Sequence, residues 1–159
     1  MYSDITQLSA SHHSLKKLAQ QLRACHDHEV GSVYARLLCH AEQVFGTEQQ
    51  LMEQHDFPAT QCHLEQHARV LCAMHKAHCA VMRGDHALGR HVGAHLLLGW
   101  FELHNATLDA ALTVWTSYRI NPAQQAFNEA TFWTRQPNQE PPPRTSPWRG
   151  PERRAQPRL

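Results

Sequence analysis

Glu48–Met52, which reads EQQLM, and Cys62–His67, which reads CHLEQH, are joined through the tetrapeptide HDFP at His55–Pro58. How these pieces fold decides the rest of the chain. They read as two neighbouring helix segments connected by a short loop. On the second helix His63 and His67 lie one turn apart on the same face, so both imidazoles can reach one point in a bundle interior. Glu48 precedes them on the antiparallel partner, and a metal site is the first chemistry this arrangement suggests. The spacing alone is weak support. In 159 residues with 14 histidines about one such pair arises by chance, and a second, His91 and His95, is present.

Outward from this pair the chain reads as helix throughout. Ile5, Leu8, Leu15, Leu18 and Leu22 recur at helical spacing and predict a first helix from about Ile5 to Asp27. Gly31 and Ser32 read as a break before a second helix from Ser32 to Gln54, which carries Gly46 in its interior. Thr60 is expected to cap a third helix running to Arg83. Gly84 and Asp85 precede a fourth, from His86 to Ile120, ended by Asn121 and Pro122. Four long helices with short connections predict an all-α, antiparallel up-down-up-down four-helix bundle over residues 1–122. A short docking helix is expected at 123–135, using Phe127, Phe132 and Trp133. The Pro/Arg-rich stretch at 136–159 is expected to be a disordered C-terminal tail.

Composition excludes several functions. Fifteen basic against fourteen acidic residues leave a net charge of +1, and the first 120 positions carry no basic stripe, so nucleic acid is not an expected partner. No apolar run approaches a membrane span, and the opening MYSDITQLSASHH lacks a basic end followed by an apolar core. Cysteines at 25, 39, 62, 72 and 79 show no C-x-x-C spacing. A reduced, cytoplasmic, monomeric protein is the expectation. No nucleophile with its base and no phosphate loop is visible, which argues against an enzyme.

A third cluster lies in WFELHNATLD, Trp100 to Asp109. His104 and Asp109 are five residues apart, about 140° around a regular helix, so they are expected to flank an object wider than one atom. Two metal ions side by side, with the carboxylate bridging them, are such an object.

Taken in order, these motifs resemble the hemerythrin and bacteriohemerythrin family. His12 precedes Leu15. Val44-Phe45-Gly46-Thr47-Glu48-Gln49-Gln50-Leu51-Met52 follows, then Phe57-Pro58, then His63 and His67, then Trp100-Phe101 with His104 and Asp109. The resemblance covers about residues 10 to 115 and includes the interval from Glu48 to His63. It implies two non-haem iron ions bridged by an oxo or hydroxo group and by carboxylates. His63, His67 and His104 would hold one ion, Glu48 and Asp109 would bridge, and His12 would hold the second, with His13 as its competitor. Trp100 and Phe101 would wall the dioxygen pocket.

The chain departs from the family pattern at Val44, where the family places a histidine ligand. Valine has no electron pair to offer, so the second ion would turn to water, a small exogenous ligand, or His40 one turn earlier, a rise of about 5.4 Å. Gln49 replaces a second glutamate, and Asn105 an apolar residue. What the resemblance implies is a non-enzymatic diiron protein that binds dioxygen reversibly, for carriage or sensing. Two alternatives stay open: a degenerate module with one metal or none that acts as a scaffold, and a diiron enzyme reactive towards peroxide or nitric oxide.

Overall fold

The computed structural model describes residues 2–120, with side chains from Leu8 to Arg119. The helix expected at 123–135 and the tail expected at 136–159 lie outside the described residues. Helices α1 (Tyr2–Ala24), α2 (Val30–Gln54) and α3 (Thr60–Val81) form three rods. The fourth rod is made of α4 (His86–Arg90), α5 (Leu97–His104) and α6 (Ala110–Ile120). Two π-helical stretches, His91–Leu96 and Asn105–Asp109, join these segments. Each rod packs on the next, and the fourth closes against the first, which is the expected up-down-up-down bundle. Among the described residues there is no strand, and no helix is long and apolar enough to cross a membrane.

The boundaries differ from the expectation where side chains from other rods intervene. The first helix ends at Ala24 rather than Asp27 because Arg90 of the fourth rod takes over its carbonyls. Its guanidinium donates to Leu22 O at 2.6 Å and Cys25 O at 2.8 Å, and it pairs with Asp27 at 2.8 Å. These are the acceptors a helix end leaves unpaired. A single 3₁₀ turn, Asp27–Glu29, then leads directly into α2. Gly31 and Ser32, expected as the break, fall inside the first turn of α2. Thr60 is the first residue of α3 rather than its cap, and its hydroxyl donates back to Phe57 O at 2.6 Å. The third helix stops at Val81.

The turn from α2 to α3 is held from both sides. Asp56 takes a left-handed φ of 49°, a conformation Asp tolerates better than most residues. This lets the Phe57 N–H reach back to Met52 O at 2.9 Å. From α6, Trp115 Nε1 donates to His55 O at 2.8 Å and Arg119 pairs with Asp56 at 3.0 Å. The core between the rods is apolar along most of its length, with Leu15, Leu22, Leu37, Met74, Phe101 and Leu112 all buried. Each such side chain contributes roughly 1.5–3 kcal/mol on leaving water. Tyr34 brings a hydroxyl into this core and donates it to Met74 O at 3.0 Å.

The first π stretch brings the fourth rod close to α1 and α2 at Gly93. A Cβ at Gly93 would stand 2.6 Å from Leu22 Cδ2 and 3.0 Å from Tyr34 Cε2, whereas one at Gly99 would meet nothing within 4 Å. Gly93→Ala should therefore lower the unfolding free energy by about 1–3 kcal/mol through overpacking. Gly99→Ala should raise it by about 0.5–1 kcal/mol through helix propensity. Urea denaturation of the two variants checks this, and equal shifts would contradict the packing described.

Candidate metal centre

Within this apolar interior lie six polar side chains, one from α1, one from α2, two from α3 and two from the fourth rod. His12, Glu48, His63, His67, His104 and Asp109 are all buried, Glu48 and His63 with no exposed surface at all. Neither carboxylate has a lysine or arginine partner among the described residues. Donor atoms of Glu48, His63, His67, His104 and Asp109 lie within 4.8 Å of one another.

The imidazoles of α3 and the fourth rod meet edge to edge. His104 Nε2 is 2.9 Å from His63 Nε2 and 3.0 Å from His67 Nε2. Nitrogens bonded to one ion at about 2.1 Å are about 3.0 Å apart at 90° and about 3.4 Å apart in a tetrahedron. The two observed separations match adjacent positions around a six-coordinate ion. His12 stands on the other side, its Nε2 2.6 Å from Glu48 Oε1 and 3.9 Å from Asp109 Oδ2.

The two carboxylates lie between these sides. Glu48 turns Oε1 to His12 and Oε2 to His67, at 3.0 Å. Asp109 turns Oδ2 towards His12 and Oδ1 towards His104 and His63, at 3.1 and 3.2 Å. Glu48 Oε2 and both Asp109 oxygens are buried without a well-formed hydrogen bond. An uncompensated buried carboxylate is costly, and cations held between the two sides would remove that cost. The residues present therefore fit a metal centre.

Placing Asp109 there needs the second π stretch. On a regular helix it would point about 140° from His104, as the sequence reading expected. The wide turn at Asn105–Asp109 forms i to i+5 bonds and brings residues five apart onto one face, so His104 and Asp109 touch instead of flanking a gap.

Aromatic rings fix the imidazoles. Phe45 stacks on His67 at a centroid distance of 3.9 Å, and Trp100 stacks on His104 at 4.3 Å. Phe57 stands edge-on to His63, and Phe101, fully buried, edge-on to His12 at 5.1 Å. Trp100 and Phe101 thus serve opposite sides of the cluster. Phe45 and Phe57 were not anticipated as supports. His13 is exposed, which leaves His12 as the first-helix donor to the cluster. His40 faces the backbone rather than the carboxylates, its Nε2 3.0 Å from Ser11 O. Val44 is buried one turn before Glu48. A cleft of about 400 Å³ between α1 and the fourth rod opens onto His12 and Asp109, a feature with no signature in the linear motifs.

The electrostatics follow from the same contacts. Burial pushes the Glu48 carboxyl up, but the hydrogen bond with His12 and the close approach of His63 and His67 outweigh it and hold the group well below the carboxylate range. Asp109 is likewise raised by burial and lowered further by His104 and His63. Burial works against charging His63, yet Asp109 and Glu48 push it up to about 9. Burial keeps His67 below its ordinary value.

Fold and cluster together define a four-helix-bundle protein with a buried histidine and carboxylate centre suited to metal. Over 116 residues the chain is 29% identical to a bacteriohemerythrin of Ralstonia nicotianae, an alignment covering 73% of this chain and 84% of that protein. No family model matches the chain, and no solved structure matches it significantly. The chain is thus similar to a bacteriohemerythrin, and the cluster of Glu48, His63, His67, His104 and Asp109 fits a hemerythrin-like domain.

A metal ion must displace the proton that the carboxylates hold on His63. Apparent affinity for a divalent ion should therefore rise about tenfold per pH unit towards about 9 and flatten above it. In the metal-free protein the same proton stabilises the fold fully below the ordinary value of 6.5, and that contribution is lost as pH rises through about 9. Chelator competition and thermal melts across this range check both signs.

Proposed function

We propose that this protein binds dioxygen reversibly at two non-haem iron ions held by His12, Glu48, His63, His67, His104 and Asp109, for carriage or sensing rather than for turnover of an organic substrate. The observation that carries the reading is the pair of buried carboxylates, each presenting one oxygen to His12 and the other to the three-imidazole side. When bound, iron would supply the electrons that dioxygen binding requires, and neutral nitrogen donors with few carboxylates suit that role better than oxygenase chemistry.

The chain's own residues do the rest. Phe45, Phe57 and Trp100 lock the imidazoles in orientation, so the donor set is organised before metal arrives. Phe101 keeps the inner wall of the His12 side apolar. His40 steadies α1 beside His12 through Ser11 O. With valine at 44, an ion beside His12 would have one nitrogen, from His12, and carboxylate oxygens of Glu48 and Asp109 to hold it, and would be bound more weakly than one on the three-imidazole side. That imbalance favours one second reading, a module that holds a single ion on the three-imidazole side.

Metal analysis with visible spectroscopy separates the two. The diiron reading expects about two iron ions per chain, oxo-bridged diferric absorption, and a reversible change when the reduced protein meets air. A content near one ion that persists in Asp109→Ala, or the absence of those bands, would sink it.

Val44→His tests the weaker half of the centre independently. It should raise iron occupancy and slow oxidation in air. No change in either would mean that position 44 does not face the metal.

A further inference from the structure

On the outer surface of the bundle, α2 and α3 share a contact made of donors rather than of apolar side chains. Glu42 Oε1 of α2 stands 3.0 Å from His75 Nε2 of α3, and the two side chains are 45% and 54% exposed. The pair is separate from the buried centre, because His75 lies two turns beyond His67, about 12 Å along the helix. A carboxylate oxygen and an imidazole nitrogen at this separation are spaced as neighbouring donors on one ion. With half of each side chain open, an ion can reach them from solvent.

Two free, exposed thiols flank His75 on α3, Cys72 one turn before it and Cys79 one turn after. They are not equivalent. The Cα–Cβ bonds of a helix tilt towards its N-terminus, so Cys79 leans back over the turn of His75 whereas Cys72 leans away from it. The other neighbour, His78, is engaged elsewhere, its ring stacked on Tyr34 at a centroid distance of 5.8 Å. Among the described residues the only group of three or more donors already within 4.8 Å of one another is the buried centre. Cys79 therefore joins the Glu42 and His75 pair by turning about χ1, a change between staggered rotamers that an exposed side chain makes readily.

We propose that Glu42, His75 and Cys79 form a second metal site, on the surface, which takes a zinc-class divalent ion and staples α2 to α3. One carboxylate, one imidazole and one thiolate suit such an ion, with water as the fourth donor, whereas the buried centre offers no sulfur. On binding, the Cys79 thiol gives its proton to solvent and its sulfur takes the ion. The two helices so joined carry Glu48, His63 and His67. The inference stands apart from the dioxygen reading, since none of its three donors belongs to that centre.

The test uses the full chain with its thiols reduced, first exposed to iron so that the buried donors are engaged, then titrated with zinc chloride. The rate at which iodoacetamide alkylates each cysteine is followed by mass spectrometry. The readout is specific to one thiol, so zinc taken up elsewhere does not register. Zinc should shield Cys79 and leave Cys72 reactive. Glu42→Gln and His75→Gln, which leave the thiol in place, should each raise the zinc concentration needed for shielding at least about tenfold, the smaller loss seen when even an outer partner of a metal ligand is removed. His91→Gln, which breaks the exposed pair His91 and His95, should leave the shielding unchanged. An equal alkylation rate of Cys79 with and without zinc would overturn the site. So would shielding of Cys72 in its place, unaltered shielding in Glu42→Gln or His75→Gln, or a loss in His91→Gln equal to theirs.

Discussion

Two carboxylates without a lysine or arginine partner among the described residues, sunk among aromatic rings, constrain everything else in this bundle. Glu48 and Asp109 together carry two negative charges into a region with no exposed path for Glu48, and among the described residues the only compensation is imidazole. Four histidines from three rods close around them within hydrogen-bonding distance or little more. Such a cluster is a liability in a metal-free core and an asset around cations. The remaining architecture can be understood as holding it together.

Every rod contributes, so the centre couples the whole bundle. α1 brings His12, and its register is held at one end by the Arg90 knot and near the donor by His40 on Ser11 O. α3 brings His63 and His67 on one face, and the turn before it is pinned by Trp115 and Arg119 from α6. The fourth rod departs from regular helix at two places, each with a physical purpose. At Gly93 it lets the rod press against Leu22, Tyr34 and Leu37. At Asn105–Asp109 it turns a carboxylate into the cluster.

The asymmetry of the centre is the feature most particular to this chain. Three imidazoles, each backed by an aromatic ring, make one side rigid and closed. The side of His12 has fewer donors, a valine one turn from Glu48 and an open polar cleft carrying Lys16.

The amino-acid sequence by itself determined the four helices and their up-down-up-down order, because apolar period and proline and glycine punctuation are local signals, while the clustered side chains were picked out by the resemblance of its motifs to a known family, with His12 and His13 left as competitors. It placed helix ends less well, since Arg90 reaches Leu22 and Cys25 across 68 and 65 positions of chain. It also put Asp109 on the wrong face, because a π turn leaves no mark in residue spacing. Only tertiary packing decided that His12 rather than His13 points inward, that His40 spends its nitrogen on a backbone carbonyl, and that a cleft reaches one side of the centre. Those outcomes depend on how one rod sits against another, and a helix-by-helix periodicity holds no information about that.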